Sequence, residues 1–543
     1  MKKKKIIIPI ILVLLLILLL TFIIIKPKEN TKQSYLASNL SKVELYDINY
    51  NKVLELPRGT EITTKKTIKK EDETYVKITY EGDEFLVKQD NINEKIVLET
   101  TIYVKTPCVL YENEIDGKIK SYLKKGEQLE ITGYDYLIDG NVHMYQVKEG
   151  YVYAKYLDQD ESEANKYYDN GYYEIHKNRT NTLGGGDAAT LDYYPYIKPV
   201  FEDNIMPDEV RSLYINTNSV SKIDEYIELA KQTNINAFVV DIKDNATPSY
   251  KSEVMKELSK TNYENAKYSI EEYKEAIKKL KDNNFYVIGR ITTFKDDYYA
   301  VDNLNDTIYD TRTNEPYNHN SSYWPSAFNR NVWYFNVELA KEAVTEMGFN
   351  EIQFDYVRFP DRTSSDEPYL DYKNTYNETK AQAIQGFVMY ACDELHKLNV
   401  YVSIDVFAES AHQYVTSYGQ YFPAISNIAD VVSPMPYPDH FNKNQYGIKE
   451  PVWTVPYQLL TTWANYVNDR QKETTTKAIV RSWIQTYDTI HEPYITYDSE
   501  KISEQIKALY DSNLTNGFIT WNSGSSLVKY KSISDALSKN YKE

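Results

Sequence analysis

Residues 206–543 alternate short apolar segments, rich in β-branched side chains, with longer amphipathic segments. The short segments predict buried strands, and the amphipathic ones predict helices that cover them. The eight predicted strands span residues 213–216, 237–242, 286–292, 352–357, 401–406, 431–435, 478–482 and 517–521. Eight β–α units in this length predict an α/β fold of the (β/α)8 TIM-barrel type.

Two predicted helices of this region begin with a capping signal. Ser221 is followed three residues later by Asp224, and Ser269 is followed by Glu272. Both patterns are typical of capping boxes. The alternative is a doubly wound open sheet, which usually carries a glycine-rich phosphate loop after its first strand. Residues 214–219 contain no glycine, so the barrel is the favoured interpretation.

The N-terminus predicts a membrane anchor. Residues 6–25 carry no charge and are almost entirely apolar, a length that spans a bilayer core. Lys2 to Lys5 precede them and predict a cytoplasmic tail, residues 1–5, with the rest of the chain outside. A signal peptide has a shorter apolar core and a small-residue cleavage site, and neither is present. Residues 26–33 follow as a short polar stalk.

Two similar β-rich segments come next, at residues 34–97 and 98–158. Each shows short alternating strands and a Leu-x-x-Gly turn, at Leu56 to Gly59 and at Leu123 to Gly126. Both segments resemble bacterial SH3 domains. Two roles stay open: binding of cell-wall peptide or glycan, and a spacer that lifts the next domain off the membrane. Residues 159–205 show no periodicity and predict a linker or an extension of the barrel.

Charge and metal-ligand spacing limit the partners. The formal net charge is −17, and such a surface repels nucleic acid. Uncharged and cationic polymers remain allowed. Cys108 and Cys392 are the only cysteines, and no cluster of Cys and His has the spacing of a zinc site. We therefore expect no metal and no cofactor.

Charged residues recur at the ends of the predicted strands. In parallel barrels the carboxyl ends of the strands carry the chemistry. A single charged residue there is explained by helix capping, whereas a ring of them predicts a functional site. The ring consists of Asp241, Lys243, Arg290, Asp355, Arg358, Asp405, Glu409 and Arg481. Tyr437, His440, Trp521 and Trp324 add aromatic faces, which stack on sugar rings.

Two carboxylates of the ring suit glycoside hydrolysis. Asp355 and Asp405 occupy equivalent points of adjacent strands, which lie about 4.8 Å apart. Retaining glycosidases hold their two carboxyls about 5–5.5 Å apart. Glu409 lies farther along, in the loop, and reaches the site only if that loop folds back. Asp405 therefore ranks above Glu409 as the partner of Asp355.

Residues 206–543 resemble a bacterial family of glycoside hydrolase barrels first catalogued as a domain of unknown function. The motifs that carry the resemblance are 238–243, 288–290, 354–360, 403–407 and 433–440. The resemblance implies that Asp355 is the nucleophile and that Asp405 or Glu409 is the acid. The other residues of the ring and the four aromatic residues would bind substrate. Members often carry an N-terminal anchor and SH3-like modules.

The leading hypothesis is a membrane-anchored, extracellular glycoside hydrolase that acts on cell-wall or capsular polysaccharide. The second is a non-catalytic carbohydrate-binding or cell-wall scaffold protein. Asp355 held in an ion pair, with no second carboxyl near, would favour the scaffold. A metal-dependent deacetylase is a weaker third hypothesis, because the histidines form no ligand cluster.

Overall fold

The computed structural model describes residues 31–36, 42–57, 59–70, 73–93, 101–136, 142–168, 171–181 and 184–542. The predicted anchor at residues 6–25 lies outside these ranges. Within them, no helix combines the length and the apolar character needed to cross a membrane. Contacts divide the chain into two units. The first comprises residues 1–103 and 128–161, and the second comprises residues 104–127 and 162–543.

The first β-rich segment forms one antiparallel sheet. Its strands are Lys32–Leu36, Lys42–Tyr46, Lys52–Pro57, Glu61–Lys70, Glu73–Tyr80, Asp83–Lys88 and Ile92–Asn93. The inward faces alternate with exposed ones, and the core contains Leu36, Val43, Leu45, Leu56, Ile62, Val76, Ile78 and Val87. The all-β character predicted for this segment is confirmed, while its likeness to SH3 domains stays a prediction.

The second β-rich segment contributes strands to both units. Thr101–Val104, Gln128–Tyr136, Val142–Val147 and Gly150–Tyr153 pair in antiparallel order. Leu157–Asp158 is a short further strand. The hairpin of Cys108–Tyr111 and Ile119–Leu123 groups with the barrel unit. The sequence pattern does not indicate this grouping, because the hairpin has the same alternation as the strands around it.

Eight parallel strands form a closed barrel. They are β1 (Val210–Ile215), β2 (Ala237–Asp244), β3 (Tyr286–Thr292), β4 (Glu351–Asp355), β5 (Tyr401–Phe407), β6 (Val431–Met435), β7 (Ile479–Val480 and Ser482–Gln485) and β8 (Gly517–Trp521). The first part of β7 pairs with β6 and the second part with β8. β8 pairs with β1 and completes the circle, so the predicted barrel is confirmed.

Helices follow the strands. They are α1 (Ile223–Lys231), α2 (Ile270–Asp282), α3 (Arg330–Met347), α4 (Lys380–His396), α5 (Phe422–Ser426), α6 (Pro456–Lys472), α7 (Ser499–Asp511) and α8 (Leu527–Ser532). Shorter helices are Glu161–Ala164, Tyr172–His176, Glu253–Leu258, Lys260–Asn265, Asp297–Asp302 and Ser534–Leu537. The capping box at Ser269 is present. At Ser221 the chain is instead inside a 3-10 turn, Thr217–Lys222, that Asn216 caps.

The described parts of residues 162–205 pack on the barrel as an extension. Leu191 and Tyr193 share a buried apolar cluster with Val415 and Tyr421 from the region after β5. The His176 Nδ1 atom lies 2.7 Å from the Tyr421 hydroxyl. Of the two interpretations of this segment, these contacts favour the extension over a linker.

The amino-terminal end of the barrel interior is closed by a buried ion pair. Arg481 Nη1 lies 2.8 and 3.0 Å from the two carboxylate oxygens of Glu351, and the Tyr286 hydroxyl donates to the same carboxylate. Both charged side chains are fully buried. A buried charge is tolerated only when it is paired in this way. Side chains therefore fill the amino-terminal end of the barrel interior, so a site can open at the carboxyl ends of the strands.

Candidate active site

Arg290 on β3 lies at the centre of the charged cluster. Its Nη1 atom is 2.7 Å from Asp241 Oδ1, and its Nη2 atom is 2.6 Å from Asp355 Oδ2. Its Nε atom also donates to Asp355, at 3.2 Å. The guanidinium is buried, so these charge-assisted hydrogen bonds act in a medium of low dielectric. β2, β3 and β4 are neighbours in the barrel, and their strand ends bring the three side chains together.

Asp355 ends β4 and reaches the open side of this cluster. Its Oδ1 atom accepts a hydrogen bond of 2.6 Å from the backbone N–H of Tyr356. Tyr356 has a φ of 52°, in the left-handed region that non-glycine residues rarely adopt. Such backbone strain is common at functional sites. The bend turns the chain away immediately after Asp355 and leaves its carboxylate at the barrel mouth.

Asp405 lies beside Asp355. Phe354 and Ile404 are partners in the register of β4 and β5, so the next residue on each strand is an aspartate. The Trp483 indole donates to Asp405 Oδ1 at 2.8 Å, whereas Asp405 Oδ2 is buried and has no hydrogen-bond partner among the described residues. Burial, and then the charge of Asp355, raise the pKa of Asp405 well above its usual range. Both effects favour the protonated form of this carboxyl.

Asp241 and Asp244 also contact Arg290, and their pKa values are shifted in opposite directions. Burial raises the pKa of Asp241 to about 7, against the opposing effect of Arg290, and the Tyr214 hydroxyl donates to its Oδ2 atom. Asp244 is partly exposed and lies 3.3 Å from Arg290. Burial would raise the pKa of Asp244, but the charge of Arg290 and the Thr292 hydroxyl outweigh it and lower the pKa. Asp244 is therefore ionised at neutral pH.

A cavity of about 430 Å³ opens above the cluster. Of the predicted site residues, it is lined by Arg290, Asp355, Arg358, Tyr437, His440 and Trp521. The rings of Tyr437 and Trp521 are stacked with centroids 6.2 Å apart, and Trp483 stands perpendicular to Trp521. Such aromatic faces bind the C–H surfaces of sugars. The cavity thus combines flat apolar walls with a charged floor.

Arg358 lines the cavity without pairing with Asp355. Its Nη1 atom donates to the backbone oxygen of Phe359 and to Asp361 Oδ1, both at 3.0 Å. Its guanidinium also lies 4.3 Å from the centre of the Phe407 ring. Arg290 is therefore the cation that contacts Asp355.

Six predicted site residues do not line the cavity: Asp241 and Asp405, described above, and Lys243, Trp324, Arg481 and Glu409. Lys243 is fully buried and pairs with Asp296 at 2.7 Å. Trp324 is buried against the Tyr356 ring, and Arg481 forms the ion pair at the opposite end of the barrel. Glu409 is exposed on a 3-10 turn, where the hydroxyls of two tyrosines, Tyr414 and Tyr418, donate to its carboxylate.

Ten residues that line the cavity were not predicted from the sequence, among them Asp244, Lys295, Tyr356, Phe407 and Trp483. For Phe407, the alternation of side chains along the strand gave an indication in the sequence. Strand residues two positions apart share a face, so Phe407 should accompany Asp405. Trp483 follows Arg481 by two residues, but the break in β7 makes the same rule unsafe there. Lys295 and Tyr356 lie beyond the strand ends, where alternation gives no guidance.

Within the described ranges, no group of three or more His, Cys, Asp or Glu side chains is arranged to hold a metal ion. The carboxylates of the cluster are instead occupied by Arg290, Tyr214 and Trp483. The chemistry that these residues themselves support is proton transfer and nucleophilic attack by carboxyl groups.

Residues 212–527 match the family model described as "Putative glycosyl hydrolase domain", and the chain belongs to this family. The barrel is therefore a glycoside hydrolase domain. Among proteins with curated descriptions, none matches the chain.

Several solved structures are similar to this chain. A hypothetical protein from Ruminiclostridium thermocellum is 31% identical, over 36% of this chain and 97% of that one, with a TM-score of 0.31. The PgaB (BpsB) glycoside hydrolase domain from Bordetella bronchiseptica is 11% identical, over 61% and 99%, with a TM-score of 0.42. A GH18 chitinase from Pseudoalteromonas aurantia is 13% identical, over 60% and 100%, with a TM-score of 0.37.

Proposed function

We propose that this protein hydrolyses glycosidic bonds of a cell-wall or capsular polysaccharide at the barrel mouth. The observation that carries the proposal is the pair of Asp355 and Asp405. The first is bound to Arg290 and faces an aromatic cavity, and the second is buried beside it with a strongly raised pKa. Two carboxyls whose surroundings differ in this way are suited to separate roles as nucleophile and acid.

In this proposal, Asp355 attacks the anomeric carbon, and the bond from that carbon to the glycosidic oxygen breaks. The proton of Asp405 goes to the departing oxygen, so that the leaving sugar departs as a neutral alcohol. Water then attacks the glycosyl–Asp355 ester and gives its proton to Asp405. Because Asp405 is closed off from the cavity in the free protein, substrate binding must open a path to its Oδ2 atom.

The two other carboxyl groups that could donate the proton, Asp244 and Glu409, are less suited to this role than Asp405. Asp244 reaches the cavity, but its pKa is lowered, so it has no proton to donate at neutral pH. Glu409 is outside the cavity, and tyrosine hydroxyls occupy both of its carboxylate oxygens. Among the three predicted catalytic residues, Asp355 and Asp405 are thus the adjacent pair.

The remaining cavity residues suit sugar binding. Tyr437 and Trp521 offer stacked faces for a pyranose ring. Arg358 and His440 lie at the rim with polar groups for sugar hydroxyls. Burial lowers the pKa of His440, so a neutral imidazole, able both to donate and to accept, faces the sugar at neutral pH.

A non-catalytic carbohydrate-binding or scaffold protein is the second candidate. The ion pair of Asp355 with Arg290 favours it, because a carboxylate held by two N–H donors is a weaker nucleophile. The neighbouring Asp405 favours the hydrolase, since a binding site has no need of a buried carboxyl with an unpartnered oxygen. A measurement of turnover distinguishes the hydrolase from the non-catalytic protein.

The placement of the protein in the cell is also a proposal. The uncharged run at residues 6–25 behind four lysines supports a single membrane span with the other domains outside. The two β-rich segments would then bind cell-wall peptide or glycan. An external protease added to intact cells should release the barrel, and protection of the barrel would reverse this topology.

The test of the function is the release of new reducing ends. The full-length chain, purified in a mild detergent, is incubated with fractionated cell-wall glycans and capsular polysaccharide. The proposal expects new reducing ends with at least one fraction, and none with Asp355→Asn purified identically. Binding without release by the unaltered chain would support the scaffold instead.

A further inference from the structure

A second cavity, of about 340 Å³, lies within the barrel unit and shares no lining residue with the cavity at the barrel mouth. Its volume falls in the range of small-molecule sites, about 300–1,000 Å³. Three parts of the chain form it: the hairpin region of residues 104–127, the extension that packs on the barrel, and the start of α4 with the loop before it. We call it the tyrosine cavity. Its defining residues are Lys105, Tyr122, Lys125, Tyr167, Asp192 and Tyr376.

One wall of the tyrosine cavity is held rigidly. The Arg330 guanidinium lies against the rings of Tyr122, at 4.0 Å, and Tyr376, at 4.4 Å, which contact each other edge to face. The same guanidinium contacts both carboxylate oxygens of Glu378 at 2.7 Å. Cation–π contacts and an ion pair around one buried group fix both tyrosines. This wall needs no rearrangement when a ligand binds.

The floor is also fixed. The backbone N–H of Asp192 donates to Gln385 on α4, and the Gln385 amide donates back to the Asp192 carbonyl, both at 2.8 Å. The Asp192 carboxylate accepts hydrogen bonds from the Tyr196 hydroxyl and from the Tyr194 backbone. Burial raises the pKa of Asp192. The acidic groups of the cavity, Asp192 and Glu378, are therefore engaged by donors within the protein.

Three lysine side chains supply the positive charge of the cavity. Lys105 and Lys125 both lie over the ring of Tyr194, at 5.2 and 5.8 Å from its centre, and Lys125 Nζ donates to the backbone oxygens of Lys105 and Lys166, both at 2.6 Å. Burial lowers the pKa of Lys125, Asp192 opposes this, and the charge of Lys105 adds to the lowering. Lys124 contributes a third, exposed cation at the rim. An anion bound here would relieve the repulsion between the lysines.

The lining also offers aromatic surface. Tyr167 is exposed, and Tyr168 and Tyr376 are partly exposed. Tyrosine faces bind the apolar side of a pyranose ring, while their hydroxyls bond to its polar edge. A cationic site with aromatic walls suits a sugar that carries a carboxylate. The overall charge of −17 makes such a local cationic site a specific feature and not a consequence of composition.

We propose that the tyrosine cavity is a second carbohydrate site that binds a carboxylate-bearing sugar, with Lys105 and Lys124 contacting the carboxylate and the tyrosines contacting the ring. The site would hold an acidic glycan at a distance from the barrel mouth. The proposal does not depend on hydrolysis, because it concerns binding alone.

Isothermal titration of the full-length chain in a mild detergent tests this site. Two acidic probes distinguish the source of the carboxylate: tri-galacturonic acid, and the disaccharide of N-acetylglucosamine and N-acetylmuramic acid. Maltotriose is the neutral probe. We expect at least one acidic probe to bind more tightly than maltotriose, with an affinity that falls as salt is added.

Matched variants assign the binding to this cavity. Lys105→Gln combined with Lys124→Gln should weaken the acidic probe by about tenfold or more, because charge-assisted hydrogen bonds are lost. Lys278→Gln combined with Lys507→Gln, two exposed lysines on α2 and α7, removes the same charge elsewhere and should leave affinity unchanged. The proposal is overturned if neither acidic probe binds, or if both double variants bind it equally well.

Discussion

At the scale of single residues, Arg290 determines the chemistry of the barrel mouth. One guanidinium on β3 contacts Asp241 and Asp244 on β2 and Asp355 on β4, the two strands that flank β3. For Asp405, the fourth aspartate, burial and the charge of Asp355 raise the pKa well above its usual range. Aspartate side chains thus acquire unequal pKa values from the balance between burial, which raises the pKa, and contact with one arginine, which lowers it.

Replacement of Asp405 tests the proposed acid. Asp405→Asn should slow hydrolysis of substrates with poor leaving groups by about 10²- to 10⁴-fold, because those leaving groups need a proton. Aryl glycosides with activated leaving groups should be affected much less. The comparison is kcat/KM for both substrate types in the unaltered and altered chains.

Glu409→Gln is the matched control for that experiment. Its carboxylate lies outside the cavity and is bound by tyrosine hydroxyls, so the change should leave both rates near those of the unaltered chain. If Glu409→Gln is inactive while Asp405→Asn is active, the loop after β5 supplies the acid and the assignment fails.

Asp241 makes the stability of the barrel depend on pH. Its pKa rises from about 3.9 in an unfolded chain to about 7 in the fold. The stabilisation is thus fully present below about pH 4 and is lost as pH rises through about 7, by up to about 4 kcal/mol. Urea unfolding at pH 4 to 8 should show a smaller decline for Asp241→Asn. An equal decline in both chains would contradict the assigned pKa.

The sequence predicts the charged strand ends but not which side chains reach the cavity. Arg290 and Asp355 follow from their positions at the ends of apolar runs. Lys243 does not reach the cavity, because the register of β2 shifts between Asp241 and Lys243 and turns the lysine towards Asp296. A bulge of this kind breaks the alternation on which the prediction rests.

Arg481 illustrates a second limit. The predicted strand ended at residue 482, which placed Arg481 near the carboxyl end of β7. The observed strand resumes after Arg481 and continues to Gln485, so this arginine lies deep in the barrel, where it pairs with Glu351. Strand ends are uncertain by a few residues, and three residues move a side chain by about 10 Å.

At the scale of elements, closure of the barrel depends on the contact between β1 and β8. Gly517 begins β8 with a φ of 101°, and a Cβ atom there would lie 1.9 Å from the Val210 carbonyl oxygen. No side chain fits without moving the backbone of β1. The closed barrel therefore requires glycine at this position.

Gly517→Ala should destabilise the barrel more than the backbone conformation alone explains. Gly447 also has a positive φ, of 75°, but a Cβ atom there meets nothing within 4 Å. Gly447→Ala should cost about 1–2 kcal/mol, the cost of the left-handed conformation. Gly517→Ala should cost clearly more in urea unfolding. Equal losses would show that the strands at the seam move apart easily.

The elements themselves are well predicted because each strand is a short apolar run between polar segments. All eight predicted strands lie within three residues of the observed bounds at each end, and the run at 286–292 coincides with β3. The short helices and 3-10 turns between β2 and α3 were not predicted, since they have too few residues for periodicity to show.

At the scale of the whole molecule, the hairpin region of residues 104–127 belongs with the barrel. Tyr122 contacts Arg330 and Trp333 on α3, and the Tyr390 hydroxyl on α4 donates to the Gly117 carbonyl. Sequence alternation cannot show this, because it reports which face of a strand is apolar and not what covers it. The predicted boundary between residues 158 and 206 stays a prediction.

Two deletions test that grouping. Removal of residues 34–97 should leave the melting temperature of the barrel unchanged. Removal of residues 34–158 should lower it by several degrees, because Trp333, now fully buried, and the Arg330–Glu378 pair become exposed. Equal melting temperatures in a calorimetric scan would show that the hairpin adds nothing to the barrel.

In the proposed function, Asp355 is the nucleophile, so the barrel hydrolyses the glycan that it binds only when this carboxylate is present. The most direct measurement compares binding and turnover in the unaltered chain and in Asp355→Asn, with the glycan fraction that yields new reducing ends. Asn keeps the shape of the side chain and its contact with the backbone of Tyr356 while removing the nucleophile. We expect a loss of turnover of about 10³-fold or more, with affinity changed by less than about threefold. Turnover by Asp355→Asn at the rate of the unaltered chain would contradict this expectation.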